Sequence, residues 1–182
     1  MLETFSRKLA ISIKAIVPEH PASAARLQYG LSLILNALFI ISGALLIALF
    51  TGKVSGVLAA LISFAILRQA SGGLHLKSGT MCVVVSIGVA TALSFTPAFS
   101  SGTLFIINLI NLLLALLFAP SDIEKQSRIP RRFYPVLKLI SAVIICSNLW
   151  IESSIIGLTL LVQCVTLILA KVVSTHAKKA GL

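Results

Sequence analysis

Residues 68–82 read Arg-Gln-Ala-Ser-Gly-Gly-Leu-His-Leu-Lys-Ser-Gly-Thr-Met-Cys, a polar island between two long apolar runs. The runs on either side set the fold class. Of the 182 residues, 58% are hydrophobic and 11% charged, and the mean hydropathy is +1.06. Soluble domains carry about 45–50% apolar and about 25% charged residues. A chain this apolar and this short cannot hide its surface from water, so its solvent is lipid. It reads as one integral membrane domain over residues 1–182.

Six apolar segments follow from the hydropathy and the helix breakers. They cover about 29–50, 54–67, 80–98, 102–119, 136–151 and 154–173, with Pro97 and Pro120 closing two of them. A spanning helix needs roughly 20 residues, with a range of about 17–25. The second and fifth segments fall short unless flanking residues join them. The expected architecture is an all-α, polytopic helical bundle with four full spans and two shorter segments.

Residues 1–28 form a basic arm. Leu2, Phe5, Leu9, Ile13, Ile16 and Val17 recur at helical spacing, and Pro18 and Pro21 follow. That pattern predicts an amphipathic helix on the membrane surface, its Lys and Arg toward anionic headgroups. Arg7, Lys8 and Lys14 exclude a signal-peptide h-region.

The net charge is +10. With six crossings and the N-terminus inside, the inward pieces are the arm, the 68–79 stretch, the 120–138 loop and the C-terminal tail. They hold fourteen of the fifteen Lys and Arg residues; Lys53 is the exception. The positive-inside rule therefore places both termini and the island in the cytoplasm. It also accounts for the charge without a nucleic-acid partner. No charged residue lies deep in a span, which weakens an ion-pathway reading. Asn36, Ser63, Asn108, Asn111, Ser141, Asn148 and Gln163 lie there instead, as residues that join helices by hydrogen bonds.

The chain has three cysteines, an odd count that argues against a closed disulfide framework. None is paired at zinc-site spacing, and the reading calls for neither metal nor cofactor. Cys146 and Cys164 sit inside apolar runs and read as packing residues. Cys82 stands where the third segment begins. If Ser78 or Thr80 caps that helix, the dipole there favours a negative sulfur. His75 lies seven residues upstream. In a continuous helix the two would be about 10 Å apart, so Gly72, Gly73 and Gly79 argue for a bent connection that folds His75 back toward Cys82. A thiol activated by an adjacent base is a nucleophile for acyl transfer. No Asp or Glu on the island orients His75, which leaves Gln69, Ser71, a carbonyl or a distant residue for that part.

The string Arg68-x-x-x-Gly72-Gly73-x-His75-x6-Cys82 resembles the accessory gene regulator B (AgrB) family of bacterial membrane cysteine endopeptidases. Ala119-Pro120, the basic residues that follow and Pro130 resemble that family's second loop, and size, span count and basic arm agree. Leu74 departs from the aromatic residue expected before the histidine. The resemblance implies Cys82 as nucleophile, His75 as acid/base partner, and Arg68, Gly72 and Gly73 in support. It implies an AgrD-like propeptide substrate at the inner leaflet of the bacterial cell membrane, cleaved through a thioester and closed to a thiolactone or lactone. Lys77, Arg128, Arg131 and Arg132 are candidates for binding an acidic part of that peptide. The pattern is compatible with a monomer or a homodimer. The alternative is a membrane transporter or binding protein for a small peptide or hydrophobic solute, with the island as a gate.

Overall fold

The computed structural model describes residues 2–19, 21–74, 78–121 and 130–179, apart from the side chains of Arg131 and residues 177–179. The described residues are all-helical: α1 (Leu2–Ile16), α2 (Ala24–Thr51), α3 (Val54–Ser71), α4 (Gly79–Ser94), α5 (Ser101–Phe118), α6 (Tyr134–Ile151) and α7 (Ser154–Lys179). A 3-10 turn, Arg131–Phe133, leads into α6. Five helices are long and apolar enough to cross a membrane: α2, α3, α5, α6 and α7. This is a multi-pass membrane protein.

The helix ends follow local chemistry. Ser23 caps α2 by accepting a hydrogen bond from the Arg26 amide. Gly52 ends α2 at φ 69°, a left-handed turn that glycine adopts without strain. Pro97 follows the end of α4 and Pro120 the end of α5, as expected where the residue before proline is pushed out of helix. Pro135 sits in the first turn of α6, where its missing N–H is not needed.

The two segments that looked short do recruit flanking residues. Both α3 and α6 reach 18 residues, the first by continuing through Arg68–Ser71 and the second by starting at Tyr134. The short apolar helix is instead α4, at 16 residues. Two boundaries also move. Ala24 to Gln28 belong to α2 rather than the arm, and Tyr134 to Lys138 belong to α6 rather than the basic loop.

The chain divides into two compact units, residues 1–52 with 76–91, and residues 53–75 with 92–182. In the first, α1 packs along α2. It buries small side chains, Ser6 and Ala10, and leaves Phe5, Leu9, Ile11 and Ile16 exposed. The apolar stripe of the arm thus stays available to lipid. α4 meets α2 in a parallel sense: Asn36 touches Cys82, and further along a Cβ on Gly43 would lie 2.6 Å from Ile87 Cδ1.

In the second unit α3, α5, α6 and α7 form a four-helix cluster around Leu67, Ala115, Ile145, Leu160 and Cys164. α3, α5 and α7 run in one direction. Their beginnings meet where a Cβ on Gly56 would lie 3.2 Å from Ile155 Cδ1 and where the Phe99 amide donates to Ser154 Oγ. Their later parts meet again around Gly72, Ser121 and Gln163. α6 runs the other way, bringing Asn148 beside Asn108. Buried amides stitch the cluster as the apolar context requires. Asn148 Nδ2 donates to Asn108 Oδ1 (3.1 Å) and to the Ser153 carbonyl, and its Oδ1 accepts from the Ser153 amide. Asn111 Nδ2 donates to the Gly157 carbonyl at 2.9 Å.

Asn148→Ala removes those three bonds and strands Asn108 in the interior. Interhelical polar bonds in membranes contribute about 0.6–2 kcal/mol each. The variant should unfold more readily in mixed detergent by about 1–2 kcal/mol; unchanged resistance would show that the amide cluster adds nothing.

Candidate functional site

In the second unit, the island's first half is held by a polar clamp. α3 ends at Gly72 (φ 73°), and Gly73 follows at φ 128°. The chain then runs beside the residues after α5. The Gly73 amide donates to the Ser121 carbonyl at 3.0 Å, and the Ser121 amide donates to the Ser71 carbonyl at 2.9 Å. The Leu74 amide donates to the Thr166 carbonyl of α7 at 3.2 Å. Backbone polar groups in an apolar setting must find protein partners, and these bonds supply them.

Gln163 is the centre of the clamp and is fully buried. Its Nε2 donates to the Gly72 carbonyl at 2.6 Å and to Ser71 Oγ at 3.1 Å. Its Oε1 accepts from Thr166 Oγ1 at 3.1 Å and, at 3.5 Å, from Arg68 Nη1. Arg68 Nη2 donates to the Leu74 carbonyl at 2.6 Å, and the guanidinium lies over the Phe64 ring, 5.7 Å from its centroid. Arg68 is therefore tied into the connection that leads to His75. The two glycines answer separate demands. Gly72 permits the positive φ. Gly73 does so too and also leaves room: a Cβ there would stand 2.7 Å from Thr166 Oγ1. The bend expected from Gly72 and Gly73 exists, and it docks the chain on α7 and Ser121. His75 and Lys77 lie outside the described residues, and so does the expected contact between His75 and Cys82.

In the first unit, Cys82 is the fourth residue of α4 and half-buried. Its amide donates to the Ser78 carbonyl at 3.0 Å, which makes Ser78 the residue where the helix begins. Asn36 Nδ2 of α2 donates to Cys82 Sγ at 3.5 Å. Cys146 is half-buried on α6; Cys164 is fully buried and its thiol donates to the Asn111 carbonyl at 3.5 Å. All three are free thiols.

Of the basic loop, Arg128 lies outside the described residues and Arg131 is described in backbone only. Arg132 is exposed, 4.9 Å from the Phe133 ring centroid. Beside the clamp is an open cavity of about 520 Å³ lined by Ser121, Tyr134, Lys138 and Lys171 among others. Among the described residues no group of His, Cys, Asp and Glu could hold a metal.

Gln163, Thr166, Ser121 and Asn36 carry this geometry, and sequence reasoning gave none of them a site role. Gln163 and Asn36 do stand out as amides in apolar runs. Their partners, up to 95 residues away, are not visible along the chain.

The fold and these features define a multi-pass helical membrane protein with a half-buried thiol at a helix start. The accessory gene regulator B family matches residues 6–174, and the chain belongs to that family. Membership implies a part in processing quorum-sensing peptides, with the AgrD propeptide as the family's substrate. No curated protein and no solved structure matches the chain.

Two substitutions test the clamp. Gln163→Leu removes the side-chain donor to the buried Gly72 carbonyl and one bond each from Ser71 and Arg68, at about 1–3 kcal/mol for a buried group left unpaired. Gly73→Ala meets both a positive φ and Thr166, with a backbone cost of about 1–3 kcal/mol. Both should lower thermal stability in detergent and speed proteolysis of the 72–77 connection. Wild-type stability and cleavage in both would remove the clamp from the account.

Proposed function

We propose that the chain is a membrane cysteine endopeptidase that cleaves a small AgrD-like propeptide and promotes its cyclisation. The observation that carries this reading is the half-buried Cys82 thiol at the start of α4, seven residues after His75 in a family-type sequence motif. Buried Cys164 has no comparable access.

In the proposed reaction His75 takes the thiol proton and Cys82 Sγ attacks a peptide carbonyl. The C–N bond breaks, and the leaving amine takes the proton from His75. The N-terminal part of the peptide stays on Cys82 as a thioester. A Cys or Ser side chain of the peptide then gives its proton to His75 and attacks that carbonyl. The C–S bond breaks, the ring closes, and Cys82 recovers its proton. An intramolecular nucleophile outcompetes water because its effective molarity is high, and a site at the membrane edge limits water. Arg68, Gly72 and Gly73 serve by fixing the connection on which His75 sits.

The orientation proposed is both termini and residues 68–79 in the cytoplasm. The parallel run of α3, α5 and α7 supports it. Their C-terminal ends and the start of α6 share one side of the second unit, and that side carries Arg68, Arg132, Lys138 and Lys171. Lys53, by contrast, lies at the opposite ends, over the Phe95 ring. The basic side also suits an acidic segment of the propeptide, with charge raising the encounter rate.

Cys82→Ala should abolish processing of a co-expressed propeptide, followed by mass spectrometry, while the protein still accumulates in membranes. His75→Ala should slow it by about 10²–10⁴-fold, the usual contribution of an acid/base group. Cys146→Ala should process normally. Cleavage by Cys82→Ala at the wild-type rate would end the peptidase reading and return the transport alternative.

Replacing Arg131 and Arg132 together with Gln should weaken apparent propeptide affinity and flatten its salt dependence, leaving maximal rate largely intact. Unchanged affinity and salt response would make the loop a topological anchor alone.

A further inference from the structure

Asn36 lies in α2, a helix whose large side chains Leu33, Ile34, Leu38 and Phe39 are exposed. A carboxamide in such a helix is costly unless it has work to do. Among the described residues its hydrogen-bond partner is Cys82 Sγ, 3.5 Å from Nδ2. Among the described residues its buried Oδ1 has no partner. The amide is thus committed to the sulfur.

Acyl transfer at a thiol passes through a tetrahedral intermediate with a negative oxygen on the carbon that sulfur attacks. Donors that stabilise such an oxygen sit about 2.7–3.1 Å from it. The amide of Cys82 itself is not free for this, because it already donates to the Ser78 carbonyl. Asn36 Nδ2 has two hydrogens and spends one on Sγ. A group 3.5 Å from Sγ is within reach of an oxygen one bond beyond the carbon that Sγ bonds. Side chains on a helix lean toward its N-terminus, so the thiol faces the first turn of α4. The N–H groups of that turn lack intrahelical acceptors and add positive potential there.

We infer that the Asn36 carboxamide is the oxyanion donor for acyl transfer at Cys82, an assignment that rests on the reading of Cys82 as nucleophile. The amide holds the sulfur before attack and shifts its second N–H onto the oxygen as the C–S bond forms.

The test needs no native peptide. The full chain with Cys146→Ala and Cys164→Ala, purified into lipid nanodiscs, is treated with p-nitrophenyl acetate. Cys82 sulfur attacks the ester carbonyl, the C–O bond breaks, and p-nitrophenolate is released as the coloured leaving group. The same protein is treated separately with iodoacetamide, which alkylates sulfur by displacement of iodide and forms no oxyanion. Asn36→Leu should slow acetylation at least tenfold, toward the roughly 10²–10³-fold effect of losing an oxyanion donor. Alkylation should stay within about twofold of the parent. Asn36→Gln, which keeps the N–H group, should recover part of the acetylation rate. Asn36→Ala provides the same comparison if the leucine variant does not accumulate. Equal losses in both reactions would make Asn36 only an orienting group for the thiol and overturn the assignment. Loss in neither would make it a packing residue and overturn it as well. Failure of the underlying reading looks different: the parent chain would not acetylate at Cys82, or Cys82→Ala would still process propeptide.

Discussion

The buried carboxamide of Gln163 is the contact on which the second unit's arrangement depends. A helical membrane protein that interrupts a helix near the lipid must give the freed backbone groups partners inside the protein. Gln163 does this for the end of α3, through the Gly72 carbonyl and Ser71, while its oxygen receives Thr166 and Arg68. Arg68 passes the constraint on by donating to the Leu74 carbonyl. Ser121 closes the other side by pairing with Ser71 and Gly73. A long flexible side chain is thereby used as a strut, its charge balanced by carbonyl oxygens and an aromatic face.

That constraint gives the glycines their meaning. Gly73 is required by its positive φ and by Thr166 Oγ1, 2.7 Å from where a Cβ would stand. The connection it begins leads within two residues to His75. A general base works only within hydrogen-bond reach of its proton, so an anchored approach to His75 serves the proposed chemistry directly. In the other unit the proposed nucleophile is held by different means, a helix start and the Asn36 amide.

Much of the fold was legible in the sequence because lipid imposes simple rules. The apolar runs, the breaks at Pro97 and Pro120, and the amphipathic arm all read directly. The extents of α3 and α6 did not. Arg68–Ser71 look like a polar exit from the membrane, yet Ser71 is buried beneath Gln163 and the helix continues through it. The arm's apolar stripe was legible, but not its packing through Ser6 and Ala10, because small residues carry almost no hydropathy signal. Cys82, Arg68, Gly72 and Gly73 stood out through a short string. Gln163 and Asn36 were visible as amides in apolar helices, but their roles depend on partners 91–95 and 46 residues away in sequence.

The central claim is that Cys82 carries the peptide as a covalent intermediate, and the intermediate itself can be weighed. Purified protein mixed with a synthetic propeptide, quenched in acid within the first turnover, should gain the mass of the propeptide's N-terminal fragment. The adduct should map to Cys82 and be released by hydroxylamine, as a thioester is. Cleaved and cyclised peptide appearing without any such adduct, or with the adduct on another residue, would contradict the account.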